Sequence, residues 1–122
     1  MLNQEEESGI RMMLDDTNDL TNEQRELLYA VENNDGKKFV ILGGTTSADL
    51  NFPISKEGMS LLLIAAAKGH TEMINLMFQN KRIDVNKTDK FGVNAFWIAS
   101  FYGQIETMQV LVQQKVDIYA RN

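Results

Sequence analysis

The sequence predicts an all-α fold, a solenoid of about three stacked helix pairs, on three observations. The first is internal repetition. The stretch Gly58 to Asn86 recurs at Gly92 to Tyr119, with Gly58 meeting Gly92, Ile64-Ala65 meeting Ile98-Ala99, Gly69 meeting Gly103 and Glu72 meeting Glu106, all at an offset of 34 residues. A fixed period in this range marks a repeat array. The second is helical spacing of apolar residues, as in Ile74, Met77 and Phe78 at i, i+3 and i+4. The third is length: the helical segments are too short to bury their apolar faces alone, whereas stacked side by side they can.

Taken in order, residues 1–20 form an acidic leader whose six carboxylates against Arg11 account for the whole net charge of −5. Two readings of it stand: a flexible terminus that nothing ties down, or a short helix placing Ile10, Met13 and Leu14 on one face to dock on the first repeat or on a partner. The repeat domain is expected over 21–122, with repeats at about 22–55, 56–89 and 90–122. Thr21 followed by Gln24 is a capping-box pattern opening a helix from Asn22 to about Asn33. Asn33-Asn34-Asp35-Gly36 reads as a turn, and Phe39 to Leu42 as a short apolar segment stopped by Gly43-Gly44. Asp49-Leu50-Asn51 echoes Asp84-Val85-Asn86, so 22–54 is a degenerate first copy.

In the second copy Leu61–Lys68 predicts a short helix rich in good helix formers, Gly69-His70 a turn, and Thr71–Gln79 the second helix. The third copy repeats the plan at Ala95–Tyr102 and Ile105–Gln113. Beyond Lys81 and Lys115 the offset falls to 33, so the second copy carries one extra residue in its closing turn.

These residues resemble ankyrin repeats. The second copy matches the family pattern at Gly58, Ser60, Leu62, Ala65, Ala66, Gly69, His70, Glu72 and Asp84-Val85-Asn86; the third matches at Gly92, Phe96, Ala99, Gly103, Glu106, Leu111 and Asp117-Ile118. The first keeps Ala30, Asn34 and Asp49-Leu50-Asn51. Leu61 and Ala95 replace the family's Pro, and Leu63 and Trp97 its bridging His, so apolar contact is expected where the family has a polar bridge. The resemblance implies an ankyrin-type helix-turn-helix solenoid over about 22–122 and a role in protein–protein interaction.

Composition narrows the function. With no cysteine, disulfides and thiolate chemistry are excluded, and the expected setting is reducing, intracellular and cytoplasmic. From Thr21 onward 11 acidic side chains balance 11 basic ones, which offers no electrostatic footprint for nucleic acid, and no apolar run approaches a membrane span. His70 is the single histidine and, by the resemblance, holds a structural position at a helix start, so zinc is not expected. Gly36-Lys37-Lys38 and Gly43-Gly44-Thr45-Thr46-Ser47 lack phosphate-loop spacing, and Asp15, Thr17 and Asp19 lack the glycine and closing Glu of a calcium loop. No catalytic constellation is present, so neither enzyme activity nor a cofactor is expected.

What remains is surface. In the family, partners touch the turn tips and the residues after the paired alanines on the concave side. Mapped here, these positions are Lys56, Glu57, Met59, Ala67 and Lys68 in the second copy, then Lys90, Phe91, Val93, Phe101 and Tyr102 in the third. The aromatic character of the third set favours a protein-binding patch; the alternative is packing along the array. The segment 105–113 also keeps Val110, Leu111 and Val112 where a terminal repeat would carry a polar face. Either the chain is a piece of a longer array, or this C-terminal edge is covered by a partner or by self-association.

Overall fold

The computed structural model describes residues 19–114 and 116, and six helices lie within them: α1 Asn22–Glu32, α2 Gly36–Thr45, α3 Leu61–Lys68, α4 Thr71–Phe78, α5 Ala95–Phe101 and α6 Ile105–Gln113. The leader readings at Ile10, Met13 and Leu14, and the match at Asp117-Ile118, lie outside the described residues. No strand occurs among the described residues.

The helices pair as α1–α2, α3–α4 and α5–α6. Between pairs, α1, α3 and α5 stack into one layer and α2, α4 and α6 into a second. The middle unit is covered on both sides, and every residue from Leu61 to Ala67 is consequently buried. Each fully buried Leu or Ile there contributes about 1.5–3 kcal/mol relative to exposure. Ala65, Ala66 and Ala67 are all fully buried, and their small side chains let α5 approach closely.

Local chemistry fixes the helix ends. The Gln24 amide donates to Thr21 Oγ1 at 3.1 Å while the Thr21 amide donates to Gln24 Oε1 at 2.9 Å, the reciprocal bonds of a capping box. Ser60 Oγ accepts from the Leu63 amide and Asn94 Oδ1 from the Trp97 amide, so each side chain caps the helix that follows it. Gly69 takes φ +70° as the left-handed cap of α3, and Asn34 takes φ +55° at the corresponding turn of the first copy.

The structure departs from expectation in α2. The turn at Asn33–Asp35 passes straight into helix, because Asp35 Oδ1 accepts from the Lys38 amide at 3.1 Å. The helix then runs through Gly43-Gly44 instead of stopping there. Gly43 is buried, and a Cβ on it would meet only ordinary van der Waals contact, 3.5 Å from Asn80 Nδ2 and 4.0 Å from Leu50 Cδ1; the helix ends at Thr46, whose amide donates to the Leu42 carbonyl.

The units are also tied by hydrogen bonds at repeating positions. His70 Nε2 donates to the Glu32 carbonyl at 3.2 Å, and Gln104 Nε2, one repeat later, donates to the Ala67 carbonyl at 2.9 Å. Thr71 and Thr107 hydroxyls share a bond of 2.9 Å between α4 and α6. Asn51 Nδ2 donates to the Arg82 carbonyl at 2.8 Å, and Asn51 Oδ1 accepts from the Asp84 amide at 2.7 Å.

Candidate functional site

The turn tips are built first. In the third repeat Asp89 Oδ1 accepts from the amides of Phe91 and Val93 at 2.9 and 3.0 Å, curling the backbone while Gly92 takes φ +79°. The second tip turns at Gly58, φ +84°. The Lys90 amide donates to the Glu57 carbonyl at 2.8 Å, joining the two tips edge to edge. A Cβ on Gly58 would come within 3.1 Å of the Lys90 amide nitrogen, so this approach requires glycine.

On this frame the third repeat gathers its aromatic side chains. Lys90 Nζ sits 5.0 Å from the centroid of Phe91, a cation–π arrangement at an exposed tip. Phe101 and Tyr102 meet edge to face, with ring centroids 5.0 Å apart and planes at 88°. Phe101 is 81% exposed and Phe91 58%, values that set them apart from the buried apolar residues of the interior. Behind Phe101 lies a groove of about 350 Å³, lined by Asp89, Val93, Trp97, Ile98, Ser100, Phe101 and Tyr102. Its lining is apolar apart from Ser100 and Asp89, and one Asp89 carboxylate oxygen is already engaged by the turn amides.

The expected contact residues divide accordingly. Val93, Phe101 and Tyr102 share the groove; Lys90 and Phe91 stand on the adjoining tip. Lys56 is exposed, but it lines a different hollow of about 380 Å³ with Asp19, Leu20, Gln24, Phe52, Pro53, Ile54 and Ser55. Glu57 and Lys68 are half-buried on the second repeat. Met59 must be corrected: it is 1% exposed and belongs to the buried apolar cluster, where its large apolar side chain is removed from water. Ala67 is likewise fully buried, covered by the following repeat, whose Gln104 bonds its carbonyl.

The groove also contains residues that position in the pattern did not single out, namely Trp97, Ile98 and Ser100. Trp97 and Phe101 stand at i and i+4 on α5, a spacing that puts them on one face and could have revealed the pairing. Among the described residues no cluster of three His, Cys, Asp or Glu side chains is placed to hold a metal, and no helix is long and apolar enough to cross a membrane.

Comparison with known proteins agrees with the repeat fold. A family model described as ankyrin repeats in three copies matches residues 27–122. Inversin of Danio rerio is 37% identical over 59 residues, covering 48% of this chain and 6% of that protein. Inversin-B of Xenopus laevis is 43% identical over 53 residues, covering 43% of this chain and 5% of that protein. Ankyrin repeat domain-containing protein 29 of Danio rerio is 35% identical over 54 residues, covering 44% of this chain and 18% of that protein. The chain thus spans less than a fifth of the length of any of these three relatives.

Proposed function

The chain belongs to the ankyrin repeat family, and from that premise we propose that it is a non-catalytic module that captures a partner protein through the aromatic groove of its third repeat. Ankyrin arrays are in general protein–protein interaction modules, and the scaffold is common to unrelated targets, so the site has to be argued from its own residues. The observation that carries the reading is the groove behind Phe101, where an aromatic ring left 81% exposed borders an apolar hollow of about 350 Å³. Exposed aromatics grouped around a pocket are the usual composition of interface hot spots. The groove accepts an apolar anchor from the partner. Lys90, on the adjoining tip, adds positive charge, so an anchor flanked by acidic residues fits best.

Selection from a displayed peptide library followed by titration with the selected peptide tests this. Phe101→Ala with Tyr102→Ala should weaken binding by about tenfold or more, the size of one hot-spot contact. Phe101 is almost fully exposed, so its truncation should leave helicity intact. Undiminished binding by the folded double variant would refute the site.

A second reading, self-association through the C-terminal edge, is favoured by a separate observation. Ile105 is 64% exposed and Val112 49%, and together with Phe96 and Met108 they line a groove of about 640 Å³.

A further inference from the structure

The faces of the three units can be compared position by position, because the copies are in register at offsets of 35 and 34 residues. One set of positions faces the following unit. Leu27, Leu62 and Phe96 correspond, as do Leu28, Leu63 and Trp97, and Phe39, Ile74 and Met108. In the first two units every one of these residues is at most 4% exposed; in the third unit Phe96, Trp97 and Met108 are only partly buried. Thr71 marks the same face directly, since its hydroxyl meets Thr107 of the next unit, and its counterpart Ile105 is 64% exposed.

A second set faces the preceding unit. Ile64 is fully buried and Ile98 is 9% exposed, whereas their counterpart Tyr29 in the first unit is 55% exposed. Leu76 reaches back to the start of α2, where a Cβ on Gly36 would lie 2.6 Å from Leu76 Cδ1. Its counterpart Ile41 is 57% exposed. Among the described residues, the first and third units thus present two apolar faces that correspond to the two halves of the inter-repeat interface.

Resting on the self-association reading, we propose that a second copy of this chain stacks head to tail, its Tyr29 and Ile41 face seated on the Phe96, Ile105, Met108 and Val112 groove. The junction continues the established stack by one more inter-repeat step. It is weaker than the internal ones for a definable reason. At each internal junction a side chain of the following unit donates to the last turn of the preceding inner helix, His70 to the Glu32 carbonyl and Gln104 to the Ala67 carbonyl. In the first unit that position is Asp35, whose carboxylate can only accept and already caps α2. Association is thus concentration-dependent. Because this contact is heterologous, a stacked pair keeps one unused half of the interface on each copy.

Sedimentation velocity on the full chain from micromolar to near-millimolar concentration tests the proposal. The wild-type average mass should rise with concentration above the 13.9 kDa of one chain. Ile41→Glu and Ile105→Glu, both at exposed positions, should each be monomeric alone with unchanged helical circular dichroism. Mixed one to one, they should form a species of twice the chain mass, since each retains the face the other lacks. A wild type that stays monomeric throughout overturns the self-association reading itself and leaves the edge to another chain. A wild type that associates, with a mixture that stays monomeric, overturns only the head-to-tail register. Ile105→Glu leaves Phe101 in place and should capture the selected peptide as the wild type does at concentrations where the wild type is monomeric, which separates this test from that of the partner groove.

Discussion

Gly69 and Gly103 provide a controlled measurement of what one inter-repeat hydrogen bond contributes. Both take φ +70°, both follow an inner helix, and both are followed by an amide that reaches back to a helical carbonyl: His70 to Ala65 at 3.0 Å, Gln104 to Ala99 at 2.8 Å. An alanine at either site bears the left-handed backbone cost of about 1–2 kcal/mol. They differ in surroundings. Nothing lies within 4 Å of a Cβ on Gly103, whereas a Cβ on Gly69 would lie 2.7 Å from Gln104 Cδ. The Gln104 side chain must then leave, and its bond to the Ala67 carbonyl is lost, at about 0.5–1.5 kcal/mol net. Urea denaturation should therefore show Gly103→Ala costing about 1–2 kcal/mol and Gly69→Ala about 1.5–3.5 kcal/mol. Adding Gln104→Ala to Gly69→Ala should cost less than Gln104→Ala alone, because the bond is already broken. Equal costs at the two glycines, or additive behaviour with Gln104→Ala, would refute the assignment of Gln104 as the bridge between the second and third units.

Two further perturbations follow from the same contacts. Arg82→Met keeps the aliphatic stem but removes the guanidinium from the carbonyls of Gly43, Thr46 and Ala48; amide exchange should accelerate in α2 ahead of α4, with a loss of about 1–2 kcal/mol after allowing for exposure. Met59→Ala should cost about 2–5 kcal/mol of stability, as for buried Met truncations in general, while a selected groove-binding peptide keeps its affinity for the folded fraction by calorimetry.

The repeat architecture was legible because periodicity is a one-dimensional signal and the helix starts carry their own caps. Thr21 with Gln24 announces its helix from local hydrogen bonding alone, whereas the caps at Ser60 and Asn94 emerge only in the structure. Burial at the contact positions was not legible in the same way, since the same register position changes character with its neighbours. Ala67 and Phe101 are equivalent in the pattern, yet one is fully buried beneath α5 and the other is 81% exposed. Position in a family pattern says which way a side chain points, and the presence of a following unit decides whether that direction ends in protein. Met59 shows the complementary failure: a residue beside an exposed tip is packed into the apolar core, which no spacing rule reports. The glycines of α2 misled for a third reason. Gly43-Gly44 has the composition of a helix stop, but neither glycine takes a positive φ, and the Thr46 amide still reaches the Leu42 carbonyl at 3.0 Å.

That extension of α2 creates a demand which the second repeat meets. A helix leaves its last carbonyls without intrahelical partners and with partial negative charge, and α2 has no basic residue in its own last turn. Arg82 supplies the missing cation from outside: Nη1 donates to the Gly43 and Thr46 carbonyls at 3.3 and 2.8 Å, and Nη2 donates to the Ala48 carbonyl. Arg82 lies in the closing turn where the second copy is one residue longer than the third. Its own carbonyl accepts from Asn51 Nδ2, so the same residue is gripped by the first unit from two directions. The first copy is the one whose sequence has drifted furthest from the repeat pattern, and its face toward the second unit is where these unusual polar contacts concentrate. The degenerate first unit is thus held in the stack by a cation borrowed from its neighbour.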